Sequence, residues 1–494
     1  MLTIKFHQWK SVSIMVILQG YHQVKLDSVA IGATVPRYTG SLKPLIICNS
    51  SLFWDFMRSL LKRITGSSVF RNSLWLLAEK FLLLGAGLIF TVLLSRYWTV
   101  ADFGAFQYLL AFIALLSPFY SLGLNSLVSG LLVQFPMDDG KIIGTAMCLR
   151  FAGALIGIIV GLCISYWFIE ERFWLLLLVL LLAQLTQVLS VIEFFFEAKI
   201  QSKISAIIRT SVGLIFLCVK IFAVIKGADL TVILLITCFE WLMLGAMWLV
   251  VYQRYGDGIA KLSWCSERAR YFIARCGWLF FSSIAAIVYL KIDQLMLGKL
   301  VGTQAVAYYS VASRLSEVWY LIPTILVASC YPRLIQAKQT SVIEHNQNYI
   351  RLLQLWCNSL CWLAILIASL MTIAAPLLIT RVFGEVYAAS ITILQIHIWA
   401  GVFIFMRALF SKWIIIEDIP RYSLLTHGLG ALINVVLNLL FIPIWGGEGA
   451  AFATLVSYAI ASYLALFLFQ KTRPMAWVMT RSLFMPITYF RSFL

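Results

Sequence analysis

The sequence is short of charge. Asp, Glu, Lys and Arg make up 12% of its 494 residues, about half the share of a soluble domain, where roughly 25% are charged. That scarcity excludes an ordinary water-soluble globular domain. Long polar stretches are missing as well, the longest running over about 252–275 and 332–351, too short for a folded catalytic domain of ~50 residues or more. No G-x-x-x-x-G-K-[ST] loop occurs, so ATP is not expected as a direct energy source. The ten cysteines show no C-x-x-C or metal-ligand spacing. Most sit in apolar runs or basic loops, and Cys357 and Cys361 fall one helical turn apart, as packing thiols do. The net charge of +17 is not gathered on a soluble basic face, which argues against nucleic acid as a partner.

What is present is apolar. Hydrophobic residues make up 62% of the chain and the mean hydropathy is +0.93. Runs of about 20 apolar residues recur, each long enough to cross a hydrocarbon core of ~30 Å. The alternating ~10-residue pattern of a membrane barrel is not seen, so the expected fold is an all-α polytopic membrane protein. Twelve spans are expected, at about 72–95, 104–133, 142–168, 173–196, 204–225, 229–251, 276–298, 304–331, 352–375, 391–413, 422–443 and 448–470.

Alternate loops differ in charge. One set carries Lys141, Arg150, Lys199, Lys203, Arg254, Lys261, Arg268, Arg270, Arg333, Lys338, Arg421, Lys471 and Arg473; the other has little beyond Arg96, Arg172, Lys226, Lys299 and Arg381. The preference of Lys and Arg for cytoplasmic loops puts both termini in the cytoplasm. Residues 1–56 lack the pattern of the rest: "SVSIMVILQG" is too short to span and has no cleavage site of a signal peptide. Met57 therefore reads as the true start, with 1–56 an upstream extension.

A weak internal repeat divides the chain. "RYWTVADFGAFQYL" lies on "KLVGTQAVAYYSVA" at an offset of 203 residues, with Arg96 on Lys299, Phe103 on Val306, Gly104 on Ala307 and Phe106 on Tyr309. Each segment precedes a proline, Pro118 or Pro323. Two six-helix lobes follow, 57–251 and 276–470, joined by a loop at 252–275 and ending in a cytoplasmic tail, 471–494. Parallel repeats of this kind are related by an axis along the membrane normal.

Four stretches resemble a known family in order and spacing: "SRYWTVADFGAFQYLLAF" with "SPFYSLGLNSLV", "KIDQLMLGKLVGTQAVAYYSVASRLSEVWYLIP", "VFGEVYAASITIL", and "IPIWGGEGAAFATLVSY". They are similar to the oligosaccharide flippases, or polysaccharide biosynthesis (O-antigen transporter) proteins, of the MATE-like multidrug/oligosaccharidyl-lipid/polysaccharide superfamily. The likeness runs over about 70–470, and Ala307 stands where that family more often has Gly. The resemblance implies a flippase, not an enzyme. It would carry undecaprenyl-diphosphate-linked oligosaccharides across the bacterial inner membrane for O-antigen, capsule or exopolysaccharide synthesis. It implies no cofactor, action as a monomer, and polysaccharide polymerase or assembly proteins as possible partners. The alternatives are a multidrug or cation antiporter of the same superfamily, and a membrane-embedded polysaccharide polymerase or ligase, which would need a sizeable outer loop that this chain lacks.

Charges inside the spans are the candidate site. A charged side chain at a helix centre costs about 2.5–3.5 kcal/mol on insertion scales, so several of them point to a hydrated cleft. Arg314, ten residues into span 8 and so about 15 Å deep, is the leading cation for a diphosphate, joined by Lys291, Arg407 and Lys80. Arg offers a planar fork of donors to phosphate. Asp293, Glu317, Glu79 and Glu240 are candidates for ion coupling or for pairing, and Arg314 with Glu317 at i+3 is one such pairing. Lys220, Glu193 and Glu197 read as snorkelling groups near span ends, and His397 and His427 as packing residues. Tyr308, Tyr309, Trp319 and Tyr320 fall where sugars could stack, and Pro118, Pro323 and Pro376 where helices could bend.

Overall fold

A computed structural model describes residues 68–256, 258–340, 347–419 and 421–485, without the side chains of 68–74 and 340. The reading of Met57 and of 1–56 lies outside them. Among the described residues every regular element is helical, as lipid demands of a chain whose backbone polar groups must be satisfied within each segment.

The first half contains α1 (Ser68–Tyr97), α2 (Val100–Leu115), α3 (Ser117–Ser121), α4 (Asn125–Gln134), α5 (Asp139–Phe168), α6 (Trp174–Ala183), α7 (Glu193–Ala198), α8 (Ser202–Ile225) and α9 (Leu230–Tyr255). The second contains α10 (Ser266–Leu300), α11 (Thr303–Glu317), α12 (Leu321–Thr340), α13 (Gln347–Leu378), α14 (Ser390–His397), α15 (Ala400–Ile416), α16 (Arg421–Ser462) and α17 (Arg473–Leu483). Two caps are built as the sequence requires. Thr99 accepts from the Asp102 amide at 3.2 Å and Asp229 from that of Val232 at 3.0 Å, each satisfying an amide that the first turn leaves unpaired.

Ten helical stretches are long and apolar enough to cross a membrane, and an eleventh forms if α2 is joined to the bent continuation Ser117–Gln134. The bend of 41° falls at Leu116, just ahead of Pro118, and the left-handed residues Leu122 and Gly123 separate α3 from α4. One of the ten, Arg421–Phe467, holds two expected spans. It breaks at Gly446, where φ is +53° and ψ −126°, and doubles back so that Phe441 lies 5.4 Å from Phe452 between ring centroids. Glycine adopts that backbone without the clash a Cβ brings. Eleven spans plus one for this hairpin give the expected twelve.

In the first half, α1 packs on α8, α8 on α9, and α9 and α5 on the 3₁₀ segment Gln184–Ile192; in the second, α10 packs on α16, and α13 on α15 and α17. The halves meet chiefly where α2 lies along α10 and α11. Gly104 permits this: a Cβ there would strike the Thr303 carbonyl oxygen and approach the Ala307 Cβ to 3.3 Å. Small residues at close helix crossings are the usual packing device in membranes. Gly104 and Ala307, which the offset of 203 sets on one another in sequence, thus lie against each other. The expected tail is partly folded: α17 turns back onto α13, burying Met475, Ala476, Val478 and Met479.

Candidate functional site

The two halves are clasped together at their less basic end. Arg96, closing α1, donates from Nε to the Val382 carbonyl at 2.9 Å and from Nη2 to that of Arg381. Both acceptors lie in the π-helical turn Ile379–Phe383 that follows α13, among the last carbonyls of a helix, which have no partner within it. Beside this contact Phe103 meets the Tyr387 ring edge-on at 6.0 Å.

Arg314 also lies where the halves meet. It projects from α11 toward α1, where its guanidinium rests against Gly87. Among the described residues no carboxylate comes within ion-pair distance of it. The i+3 partner, Glu317, turns to Lys291 of α10 instead, at 3.7 Å, with both side chains about a quarter exposed. Helices α10 and α11 thus hold one neutralised pair and, among the described residues, one uncompensated, half-buried cation.

Asp293 lies deeper, 2% exposed, within the second bundle. Its carboxylate accepts from the Tyr309 hydroxyl at 2.7 Å, the Thr454 hydroxyl at 2.5 Å and the Asn438 amide at 2.5 Å, while Asn438 also donates to Asn434 at 3.1 Å. No cationic side chain pairs with it among the described residues. A cavity of about 10 Å³, lined by Asp293, Tyr309, Glu317, His397 and Tyr458, adjoins it, and that is room for a single water-sized sphere.

Arg407 does not face the groove. It is 7% exposed inside the second bundle, where Nη1 donates to Thr426 Oγ1 at 2.8 Å and to the Ala461 carbonyl at 3.1 Å. Its Nε and Nη2 find no hydrogen-bond partner among the described residues, and Phe410 lies under the guanidinium at 5.1 Å.

The polysaccharide biosynthesis protein family matches residues 69–338, more than half of the chain. The chain belongs to that family. A curated relative, the probable flippase AglR of Haloferax volcanii, is 24% identical over 203 residues, which is 39% of this chain and 40% of AglR. The match thus spans well under two thirds of that relative's length. Among solved structures, the lipid II flippase MurJ in an inward closed conformation aligns with a TM-score of 0.59 at 14% identity, over 84% of this chain and 92% of MurJ. An inward-facing MATE transporter aligns at 0.59 and 13%, over 79% and 94%, and Vibrio cholerae VcmN at 0.56 and 15%, over 82% and 96%. At these identities the likeness shows the fold.

In this family member the first-half candidates Glu79 and Glu240 are neutralised. Glu79 receives Nε and Nη2 of Arg209 at 2.5 and 2.9 Å, and Glu193 receives Nη1 of the same guanidinium. Glu240 pairs with Lys220 at 2.5 Å. Glu193 and Lys220 are therefore ion-pair members rather than snorkelling groups. Lys80 stands exposed on α1. Arg150, counted above among the loop cations, is 2% exposed in α5, donating to Ser190 at 3.2 Å and Asn125 at 2.5 Å. Sequence reasoning passed over Arg209, Asn434, Asn438 and Thr454. Arg209 lies only five residues into the expected span 204–225, too shallow for the depth criterion applied to Arg314. The other three are uncharged, and nothing in the sequence separates them from ordinary helix-packing residues.

Proposed function

We propose that this protein is a flippase that moves lipid-diphosphate-linked oligosaccharides, undecaprenyl-linked repeat units in particular, across the bacterial inner membrane. The product would feed O-antigen, capsule or exopolysaccharide synthesis. The lobes 57–251 and 276–470 rock about the α2–α11 contact, with the basic loops and both termini cytoplasmic. The observation that carries the reading is Arg314: a guanidinium where the halves meet, against Gly87 of the opposite half, with no acid to cancel it among the described residues. A diphosphate supplies the missing charge and matches the guanidinium fork. Lys291 contributes when Glu317 releases it, and Lys80, exposed on α1, is a further cation for the headgroup. Arg407 acts inside the second bundle as a fixed positive charge and does not touch the headgroup. Asp293 is the coupling group, taking up and releasing a proton or a monovalent cation beside its three donors. The membrane potential adds about 2.3 kcal/mol per charge per 100 mV. A multidrug-antiporter reading, which wants an acidic groove, is less well supported, because Glu79, Glu240 and Glu317 all have basic partners.

The test is complementation of a strain lacking its own flippase, with surface polysaccharide as the readout. Wild type restores it and Arg314→Ala does not, at equal membrane levels. Normal polysaccharide from Arg314→Ala combined with Lys291→Ala would remove the cationic-groove reading.

A further inference from the structure

The helix α17 is held to α13 by directed bonds. Gln354 Nε2 donates to the Val478 carbonyl at 3.0 Å and to Ser482 Oγ at 2.9 Å, and Trp362 Nε1 to the Ser482 carbonyl at 3.0 Å. Its outward side keeps Trp477, 57% exposed, and Arg481. Cavities of about 570 and 650 Å³ flank it and share Ile350 and Arg481 as walls. The first also takes in Lys338, Glu417 and Lys471, the second Arg351.

The charges do not cancel. Glu417, the acidic residue of the first cavity, is neutralised by Lys338, whose Nζ lies 2.9 Å from both of its oxygens, and it accepts from the Tyr349 hydroxyl at 3.0 Å. Arg351, Lys471 and Arg481 remain, all exposed and without an acid in ion-pair reach among the described residues. Next to these cations stand exposed apolar side chains: Ile350 at 44%, Leu355 at 54% and Trp477 at 57%. A shelf of positive groups over an apolar wall, at the basic membrane face, has two chemistries in one place. It offers charge-assisted bonds to phosphate and a surface for hydrocarbon, with Trp at the boundary.

We propose that this shelf binds an anionic glycerophospholipid. Arg351 and Arg481 hold its phosphate from opposite sides of their shared cavity, Lys471 faces the remaining headgroup charge, and the acyl chains run along Ile350 and Leu355. The bound lipid braces α17 against α13, outside the groove between the halves. A soluble phosphate compound lacks the hydrocarbon that the apolar wall would cover.

Native mass spectrometry of the full-length protein, released from neutral detergent with added phosphatidylglycerol or phosphatidylcholine, tests this. Phosphatidylglycerol adducts should exceed phosphatidylcholine adducts at equal concentration. Each basic side chain near an anionic lipid surface is worth about 1 kcal/mol, or about fivefold, so Arg351→Gln with Arg481→Gln should weaken phosphatidylglycerol binding by about 25-fold. Arg351→Lys with Arg481→Lys should keep most of it, and that pair stands in if the glutamine variant does not fold. Arg254→Gln with Lys261→Gln, an equal charge change on exposed residues at the end of α9 and in the loop after it, should leave it unchanged. Equal adducts for the two lipids, an equal loss from the Arg254/Lys261 pair, or displacement of the lipid by glycerol 3-phosphate at the same concentration would each overturn the proposal.

Discussion

Two substitutions at Asp293 separate its charge from its packing. Its carboxylate is the acceptor for three buried donors, on Tyr309, Thr454 and Asn438. Asp293→Leu strands all three, at about 1–3 kcal/mol each, for a total of about 3–9 kcal/mol. Asp293→Asn strands none. The two hydroxyls can reverse and accept the two N–H bonds of the new Nδ2, and Asn438 goes on donating to the remaining Oδ1. The expected stability loss is then within about 1 kcal/mol, near the net worth of one ordinary hydrogen bond. Function should follow the charge instead. A monovalent cation 4 Å from a carboxylate gains about 4 kcal/mol at an effective dielectric of ~20. Even if the neutral amide keeps half of that, occupancy falls by more than about tenfold. The assay is paired: thermal melting in detergent, and surface polysaccharide in the flippase-deficient strain. Asp293→Leu should melt early, and Asp293→Asn should melt like wild type while transport fails. Full transport by Asp293→Asn at wild-type membrane levels would refute the coupling role.

Three other outcomes follow from the packing. Gly104→Leu puts a side chain into the Thr303 backbone, so the less basic end should not close and surface polysaccharide should fall to background while membrane levels hold. Arg209→Met leaves Glu79 and Glu193 without their shared partner, costing about 3–5 kcal/mol in a melting experiment; adding Glu79→Leu and Glu193→Leu should recover most of it. Arg96→Gln removes charged bonds to two carbonyls, about 1.5–3 kcal/mol each, and should raise the rate at which a Cys at the buried position of Tyr387 is labelled from the less basic side.

Most of the architecture was legible because lipid leaves the chain few options. Spans follow from apolar run length, the break in the second span from Pro118, and the reversal near Gly446 from the Trp-Gly-Gly sequence between two runs. The repeat showed itself as Gly104 on Ala307, and those residues touch. The pairing of charges was not legible. Spacing along one helix favours Arg314 with Glu317, but Lys291 on the neighbouring helix takes Glu317, and no one-dimensional pattern reports a neighbour's register. Arg407 looked like a groove cation because depth was readable and azimuth was not. The donors around Asp293 come from positions as far as 161 residues away, where only the fold brings them together. The helix α17 was missed for another reason: its basic, short sequence reads as a solvated tail until α13 offers it an apolar face.

The contact made by Arg96 has an evolutionary corollary. On one side it depends on a particular side chain, on the other on main-chain oxygens of Arg381 and Val382 that every amino acid supplies. The identities of residues 381 and 382 are thus free to drift without loosening the clasp, whereas residue 96 is not. Suppressors of an Arg96 lesion should accordingly arise where they reshape the π-helical turn, at Pro376 or Gly384, and not by exchange of the residues whose oxygens are gripped.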